Sequence, residues 1–281
     1  MILWNKMKNP MVSIILPTYN GKLEWLEQSI WSVFTQTYKN IEIIIINDWS
    51  TNQIDLWIKN IIDKHWTKNL IKFINRKENK WLSYSLNEWI NNANGKYIAR
   101  IDDDDIWIDC KKLEDQVSFL NNHPDYCLVG SGYIIVDEKL NEVKKVSLPN
   151  DYVEIFNSML DSCKFAHSSV VFRKDVTKAL WWYKSFRNPI DDHELRIRMI
   201  LKHKVANLSK YCIYYRRNPN WMCVSNMLVL RIKRFFLVLL YSRIFNKNWS
   251  YIINYFFKTI KKIWIYIIHY LSKIFYLRKF H

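Results

Sequence analysis

The chain has 281 residues, of which 49% are hydrophobic, enough to bury the core of one large domain with an appendage or of two modest domains. Five cysteines (Cys110, Cys127, Cys163, Cys212 and Cys223), odd in number and without a C-x-x-C pair, suggest neither a disulfide framework nor a zinc site and suit a reducing cytoplasm. The net charge of +16 is confined to one end: Glu194 is the last acidic residue, residues 195–281 carry 18 Lys and Arg, and the first 194 residues hold 24 basic against 26 acidic groups.

Met1 to Asn9 contains no apolar segment followed by a small-residue cleavage site, so no secretory signal is expected. Isoleucine-rich runs at Val12–Leu16, Ile41–Ile46, Ile71–Ile74 and Tyr97–Ile101 predict short buried strands. Helical patterns lie between them, at Leu23–Thr35, Ile54–Asp63 and Leu82–Asn94, each long enough to cross back over a sheet. That alternation predicts an α/β, Rossmann-like fold whose mostly parallel sheet is covered on both faces. Ligands of such sheets bind at the C-terminal strand ends. Pro17-Thr18-Tyr19-Asn20, Asn47-Asp48 and Asp102 to Asp105 fall there, so three polar clusters distant in sequence are expected to share one cleft.

Asp102, Asp103, Asp104 and Asp105 gather four carboxylates where the fourth strand ends. On an extended segment, Asp102 and Asp104 would point the same way and converge on a hard divalent ion, Mn²⁺ or Mg²⁺, that shares its shell with phosphate oxygens. The plainer reading is a solvated acidic turn before a helix. Further on, a helix is expected at Lys111–Asn121, strands at Leu128–Val136 and Ser169–Phe172, and a helix at Asp192–Lys202. A second carboxylate pair, Asp191-Asp192, opens that last helix, where N-capping alone would explain it.

From Met227 onward, apolar runs alternate with Arg231, Lys233, Arg234, Lys258, Lys261 and Lys262, and no stretch reaches the roughly 18 uncharged residues of a spanning helix. A basic helical tail, residues 221–281, is therefore expected after a catalytic domain of residues 1–220. Its composition fits amphipathic helices lying on an anionic membrane surface, which would make the protein cytoplasmic and peripheral at the inner face of the cell membrane. The competing expectation is a helical cap whose apolar stripe packs on the domain.

Taken in order, Val12–Gly21, Gln36–Asp48, Asn94–Asp105 and His167–Arg173 resemble the family 2 glycosyltransferases, inverting enzymes of the A-type nucleotide-sugar-binding fold; the likeness runs from about Val12 to Arg217. The resemblance implies that Pro17, Thr18 and Asp48 line a nucleoside pocket, with Tyr19, Arg100 and Asp103 counted among the donor-binding positions. It makes Asp102 and Asp104 the D-x-D pair, Asp102 toward the ribose and the metal and Asp104 on the metal. Asp105 fills a further acidic position of the family. Asp191-Asp192 matches an acidic pair, usually Glu-Asp, whose second member is the base, so Asp192 is favoured over Asp191. The chemistry agrees: displacing a nucleoside diphosphate needs its charge neutralised, and a separate carboxylate must take the acceptor's proton. His167 is a candidate for contact with acceptor or diphosphate, although a lone histidine is more often structural. The implied partners are a nucleotide-sugar donor, most simply UDP-linked, and a hydroxyl acceptor in surface polysaccharide or lipid-linked glycan. A nucleotidyltransferase would usually show a Gly-rich loop after the first strand, which Pro17 to Gly21 is not. A nucleic-acid-binding protein would show a recognised motif and a polar basic stripe in place of basic residues among aliphatic runs.

One departure stands out. The chain has 14 Trp and 4 Gly, whereas Gly alone ordinarily makes up about 7% of residues. Trp49, Trp81, Trp89, Trp181 and Trp182 stand where the family has glycine, in positions that need φ > 0 or close backbone approach. Two explanations are open: a genetic code that reads UGA as glycine, rendered here as tryptophan, or a Trp-rich variant with an altered pocket. Trp25 and Trp107 occupy positions where the family accepts aromatics.

Overall fold

The computed structural model describes residues 9–64, 70–78, 82–180, 183, 190–217 and 227–278. The four isoleucine-rich runs form β1 (Val12–Thr18), β2 (Ile41–Asn47), β3 (Ile71–Asn75) and β4 (Tyr97–Arg100). Every residue of β2, Ile-Glu-Ile-Ile-Ile-Ile-Asn, is buried, as a central parallel strand covered on both faces requires. Burying each of its aliphatic side chains contributes about 1.5–3 kcal/mol relative to exposure.

Between the strands run α1 (Leu23–Phe34), α2 (Ile54–Lys64) and α3 (Leu82–Asn92). Helix α1 buries Leu26, Ile30 and Val33, the i, i+4, i+7 spacing of one helix face, and all three join the core of Ile14, Leu16, Ile43 and Ile45. The sheet order is β3-β2-β1-β4, with β1 to β4 parallel. Strand order therefore reverses between β1 and β4. The β1-to-β2 and β2-to-β3 crossovers step one way along the sheet and the β3-to-β4 connection returns past β1, so a crevice opens beyond the C-terminal ends of β1 and β4.

The rest of the sheet is mixed. β8 (Val171–Arg173) runs antiparallel to β4, and β6 (Tyr126–Val136) antiparallel to β8. β9 (Lys204–Arg216) runs parallel to β6, and the two-residue β5 (Ile106–Trp107) caps that edge. β7 (Glu142–Val146) pairs with β6 alone. Helices α4 (Lys112–Asn122), α5 (Tyr152–Ser158), α6 (Lys174–Ala179) and α7 (Asp191–Ile200) complete this unit. The thirteen-residue β9 was not anticipated from sequence. Its register against β6 shifts twice near Gly132, so alternation between buried and exposed residues breaks and no strand period is visible.

Contacts divide the chain into two compact units, the first built of β1 to β9 with α1 to α7, the second of α8 (Met227–Tyr241) and α9 (Trp249–Arg278). In the second, α8 and α9 pack on each other, and the Phe235 and Phe256 rings lie 5.3 Å apart. No described helix is long and apolar enough to cross a membrane.

The tryptophans sort into two kinds. Trp25 and Trp107 are core residues, 5% and 2% exposed; the Trp107 indole donates to Ser168 O at 2.8 Å, and Lys112 Nζ sits 4.0 Å over its ring. Trp49 has φ 71°, the left-handed region that glycine tolerates and a bulky side chain does not. The buried Trp89 Nε1 has no hydrogen-bond partner among the described residues. Trp81, Trp181 and Trp182 lie outside the described residues.

Candidate active site

Three loops meet beyond β1, β2 and β4. The Asp48 N–H donates to Thr18 O at 3.0 Å, and the Thr18 hydroxyl donates to Asp103 Oδ2 at 2.5 Å. Asn20, at φ 51°, accepts from the Thr51 N–H at 2.8 Å, which fastens the loop after β1 to the loop after β2. A Cβ at Gly21 would collide with Asp103 Oδ2, so glycine is what lets the acidic turn approach this loop. Pro17 is half-buried before Thr18, and Tyr19 is exposed at the mouth.

The four aspartates do not form the extended segment expected of them. The Asp105 N–H donates to Asp102 O at 3.2 Å, closing a turn, so the two-residue alternation of a strand does not apply, and the Asp102, Asp103 and Asp105 carboxylates face different neighbours. Asp102 Oδ1 accepts from Arg100 Nη2 at 2.7 Å. Arg100 is fully buried; its other contacts are Ile15 O at 3.4 Å and His167 Nε2 at 3.3 Å. Burial of the Asp103 carboxyl, and then the neighbouring Asp104 charge, push it up to about 7. Asp104 is half-buried, and its carbonyl accepts from Arg216 Nη1 at 3.1 Å.

Asp105 turns away from solvent. It is 1% exposed, accepts from the Ser168 hydroxyl and, at 3.1 Å, from the Arg216 N–H, while its carbonyl accepts from the Ser29 hydroxyl at 2.5 Å. Burial, then the Asp104 and Asp102 charges, raise its carboxyl well above the usual range. It braces the turn from beneath.

The second acidic pair opens α7. Asp191 is buried, whereas the Asp192 side chain is 25% exposed and its Oδ2 lies 2.8 Å from Arg196 Nη1, one helical turn on. The same guanidinium reaches Phe165 O at 3.2 Å and Cys163 Sγ at 2.9 Å. Burial pushes the Asp192 carboxyl up, but Arg196, then His167 and His193, outweigh it and hold the group below the ordinary carboxylate range. Asp192 is therefore ionised at neutral pH. His193 itself is buried against Met159 O at 2.7 Å, and Glu194 is clasped by Arg198 at 2.9 Å through both oxygens.

His167, on the short 3₁₀ turn His167–Ser169, lies beside the acidic turn. Its Nε2 accepts from Arg100, which places the ring proton on Nδ1, facing Asp102 Oδ2 at 3.9 Å. Burial and the Arg100 charge bring its pKa down to about 4, against the opposing pull of Asp102 and Asp192, so the imidazole is neutral. Tyr183, whose hydroxyl lies 3.4 Å from His167 Nε2, feels Asp102 and Asp192 as well.

Sequence reasoning missed Arg76, at the C-terminal end of β3. It ion-pairs with Glu88 at 2.5 Å, lies 3.8 Å from Asp48 Oδ1 and lines a cavity of about 440 Å³ with Ile74, Lys77, Glu78 and Trp89. The strand-end rule that selected Asp48 points to the run Arg76-Lys77-Glu78 but not to Arg76 within it. Arg196 carried the i+4 signal from Asp192, but Ser168 and Arg216 reach the acidic turn only through tertiary folding.

Among the described residues no three His, Cys, Asp or Glu converge to hold a metal ion unaided. The acidic turn nevertheless offers hard oxygen donors, and burial followed by the Asp104 charge already lifts Asp103, which fits a divalent cation completed by phosphate oxygens.

Residues 13–221 match the family model described as glycosyl transferase family 2. The chain belongs to this family. Among its relatives, the putative glycosyltransferase EpsE of Bacillus subtilis is 35% identical over 193 residues, 67% of this chain and 66% of EpsE. The amylovoran biosynthesis glycosyltransferase AmsE of Erwinia amylovora is 31% identical over 202 residues, 70% of this chain and 73% of AmsE. The chain thus spans just under two-thirds of EpsE. The fold is that of A-type glycosyltransferases. The mannosyltransferase PcManGT from Pyrobaculum calidifontis, solved with GDP-Man and Mn²⁺, superposes with a TM-score of 0.61 at 18% identity, covering 85% of this chain and 65% of that one. Staphylococcus aureus TarS, solved with UDP-GlcNAc, gives 0.60 at 18% identity over 82% and 66%.

Proposed function

We propose that this family 2 member is an inverting glycosyltransferase, moving a sugar from a nucleotide-sugar donor, UDP-linked in the simplest case, to a hydroxyl of a surface polysaccharide or lipid-linked glycan. The observation that carries the reading is the meeting of three strand-end loops of an A-type sheet, where the Asp48 N–H donates to Thr18 O and the Thr18 hydroxyl donates to Asp103 of the acidic turn. The A-type fold supports a nucleotide-sugar donor, and the complexes of TarS with UDP-GlcNAc and of PcManGT with GDP-Man illustrate two such donors.

On this reading, Pro17, Thr18, Tyr19 and Asp48 surround the nucleoside, with Arg76 as an added member, and Asp103 and Asp102 close over the diphosphate side. Asp104 and Asp102 hold Mn²⁺ or Mg²⁺, which when bound supplies positive charge to the departing diphosphate. Arg100 fixes Asp102, so the carboxylate is aimed before the donor arrives. Asp192 accepts the proton of the acceptor hydroxyl as its oxygen bonds to the anomeric carbon and the bond to the diphosphate breaks, which inverts that carbon. Asp191, buried behind it, favours the helix N-terminus electrostatically.

The test is a screen of UDP-, GDP- and dTDP-sugars for binding and transfer with Mn²⁺ present. Asp104→Ala should abolish metal-dependent donor binding, while Asp192→Ala should spare binding and lower turnover by about 10²–10⁴-fold. Equal loss of donor affinity in both variants would contradict this division of roles.

A further inference from the structure

The two-helix unit presents an apolar surface that nothing in its own fold covers. On α8, Val229, Ile232, Phe236 and Leu240 are exposed, Phe236 by 60% and Leu240 by 65%, and their i, i+3, i+7, i+11 spacing sets them on one stripe. A different stripe, Leu230, Leu237, Val238 and Tyr241, is buried. On α9 the exposed Ile253 and Phe257 again share a face, which Trp249 and Trp264 extend in both directions, while Phe256 beside them is partly covered by Phe235. The stripe stands without those two tryptophans. Exposed apolar surface of this extent, repeated on adjoining helices, is unusual for a protein surrounded by water alone.

Charge selects the occupant. Residues 219–281 contain 11 Lys and Arg and no Asp or Glu. Lys258, Lys261 and Lys262 are exposed on α9 outside the apolar stripe, and Arg243 is exposed just after α8. An apolar face with a cationic remainder suits the boundary between acyl chains and anionic headgroups: the rings enter the hydrocarbon margin while the ammonium groups stay among phosphates. A nucleic acid would satisfy the charge and leave Phe236, Leu240, Ile253 and Phe257 in water.

We propose that α8 and α9 form an in-plane docking surface for a bilayer containing anionic lipid. The helices lie on that bilayer without crossing it. The surface belongs to the two-helix unit alone and stands whichever donor the first unit uses.

The experiment is co-sedimentation of the full chain with vesicles of phosphatidylcholine alone and of phosphatidylcholine mixed with phosphatidylglycerol. Binding is expected to the mixed vesicles only, and to weaken between 0.1 and 1 M salt, as the screening length falls from about 10 to about 3 Å. Phe236→Asp with Phe257→Asp should lower partitioning by about tenfold or more. Because apolar-to-charged changes can unfold a small unit, Lys258→Gln with Lys261→Gln and Lys262→Gln provides an independent arm: helicity by circular dichroism stays at the parent level while the preference for anionic vesicles falls. A chain left in the supernatant with mixed vesicles at low salt overturns the proposal. So does binding that neither variant set weakens, self-association through the stripe without vesicle binding, or retention on single-stranded RNA in place of vesicles. Donor binding, measured on the same variants, should match the parent and separates failure here from failure of the catalytic reading.

Discussion

Trp49 offers the sharpest test of how this sequence and this backbone fit together. Its φ of 71° lies in the left-handed region, where an L-residue with a Cβ costs roughly 1–2 kcal/mol and glycine escapes that cost. Trp49→Gly and Trp49→Ala both delete the half-exposed indole, so whatever packing it contributes cancels between them. The remaining difference is the backbone term, reduced by the larger entropy glycine loses on folding, about 0.5–1 kcal/mol. Glycine should therefore be more stable than alanine by about 0.75 kcal/mol, and by about 1.5 kcal/mol at most, or roughly 2–3 °C in Tm for a domain of this size. Urea unfolding of both variants, followed by far-ultraviolet circular dichroism, measures it. An alanine variant as stable as the glycine variant would refute the argument that the site is built for glycine. An intact mass of the native protein that matches all 14 tryptophans would end the UGA-as-glycine explanation, whichever variant wins.

Three further outcomes are expected. Asp105→Ala strands the Ser168 hydroxyl and the Arg216 N–H, at about 1–3 kcal/mol each, whereas Asp105→Asn keeps partners for both; since both remove the same charge, the alanine variant should unfold about 2–6 kcal/mol more easily in a urea titration, and equal midpoints would show the contacts to be unimportant. His167 holds a pKa of about 4 in the fold against 6.5 for the free group, so as pH falls below about 6.5 the unfolded chain takes up a proton that the folded one refuses. Stability drops across pH 6.5 to 4 by an amount on the order of 3 kcal/mol and levels off below; melting curves of His167→Asn should show a shallower acid slope, and an unchanged slope would be contrary. Arg196→Met removes the cation that holds Asp192 ionised, so the acidic limb of the kcat/KM profile should move to higher pH, with Arg196→Lys moving it less. A limb that stays put in a variant folded by circular dichroism would detach Arg196 from the base.

The parts of the fold legible in sequence are those where local pattern and tertiary demand coincide. The isoleucine runs of β1, β2 and β4 are buried on both faces, so continuous hydrophobicity marks them, and the polar residues that follow them had to stand at strand ends; β3, expected to be buried, is the edge strand and buries only Ile71. β9 was hidden because its register shifts against β6 break the two-residue period. At the site, sequence brought Thr18, Asp48 and Asp103 to one place, but it treated Asp102 to Asp105 as extended and could not show that Asp105 turns inward. That choice is made by Ser168 and Arg216, which lie far along the chain. Arg76 was missed for a different reason: β3 ends in a run of charges, and only its approach to Asp48 singles out one of them.

The bracing of the acidic turn bears on the order in which the protein matures. Ser168 lies 66 residues after the Asp102 N–H it receives, and Arg216 lies 111 residues after the carboxylate it donates to. A ribosome that has released residues 1–105 has therefore made every aspartate of the turn, with Thr18, Ser29 and Arg100 to hold part of it, but neither of the groups that draw the Asp105 carboxylate inward. Until Arg216 emerges, Asp105 lacks the partners that bury it, and the turn reaches its final shape late, with the closing strand of the sheet.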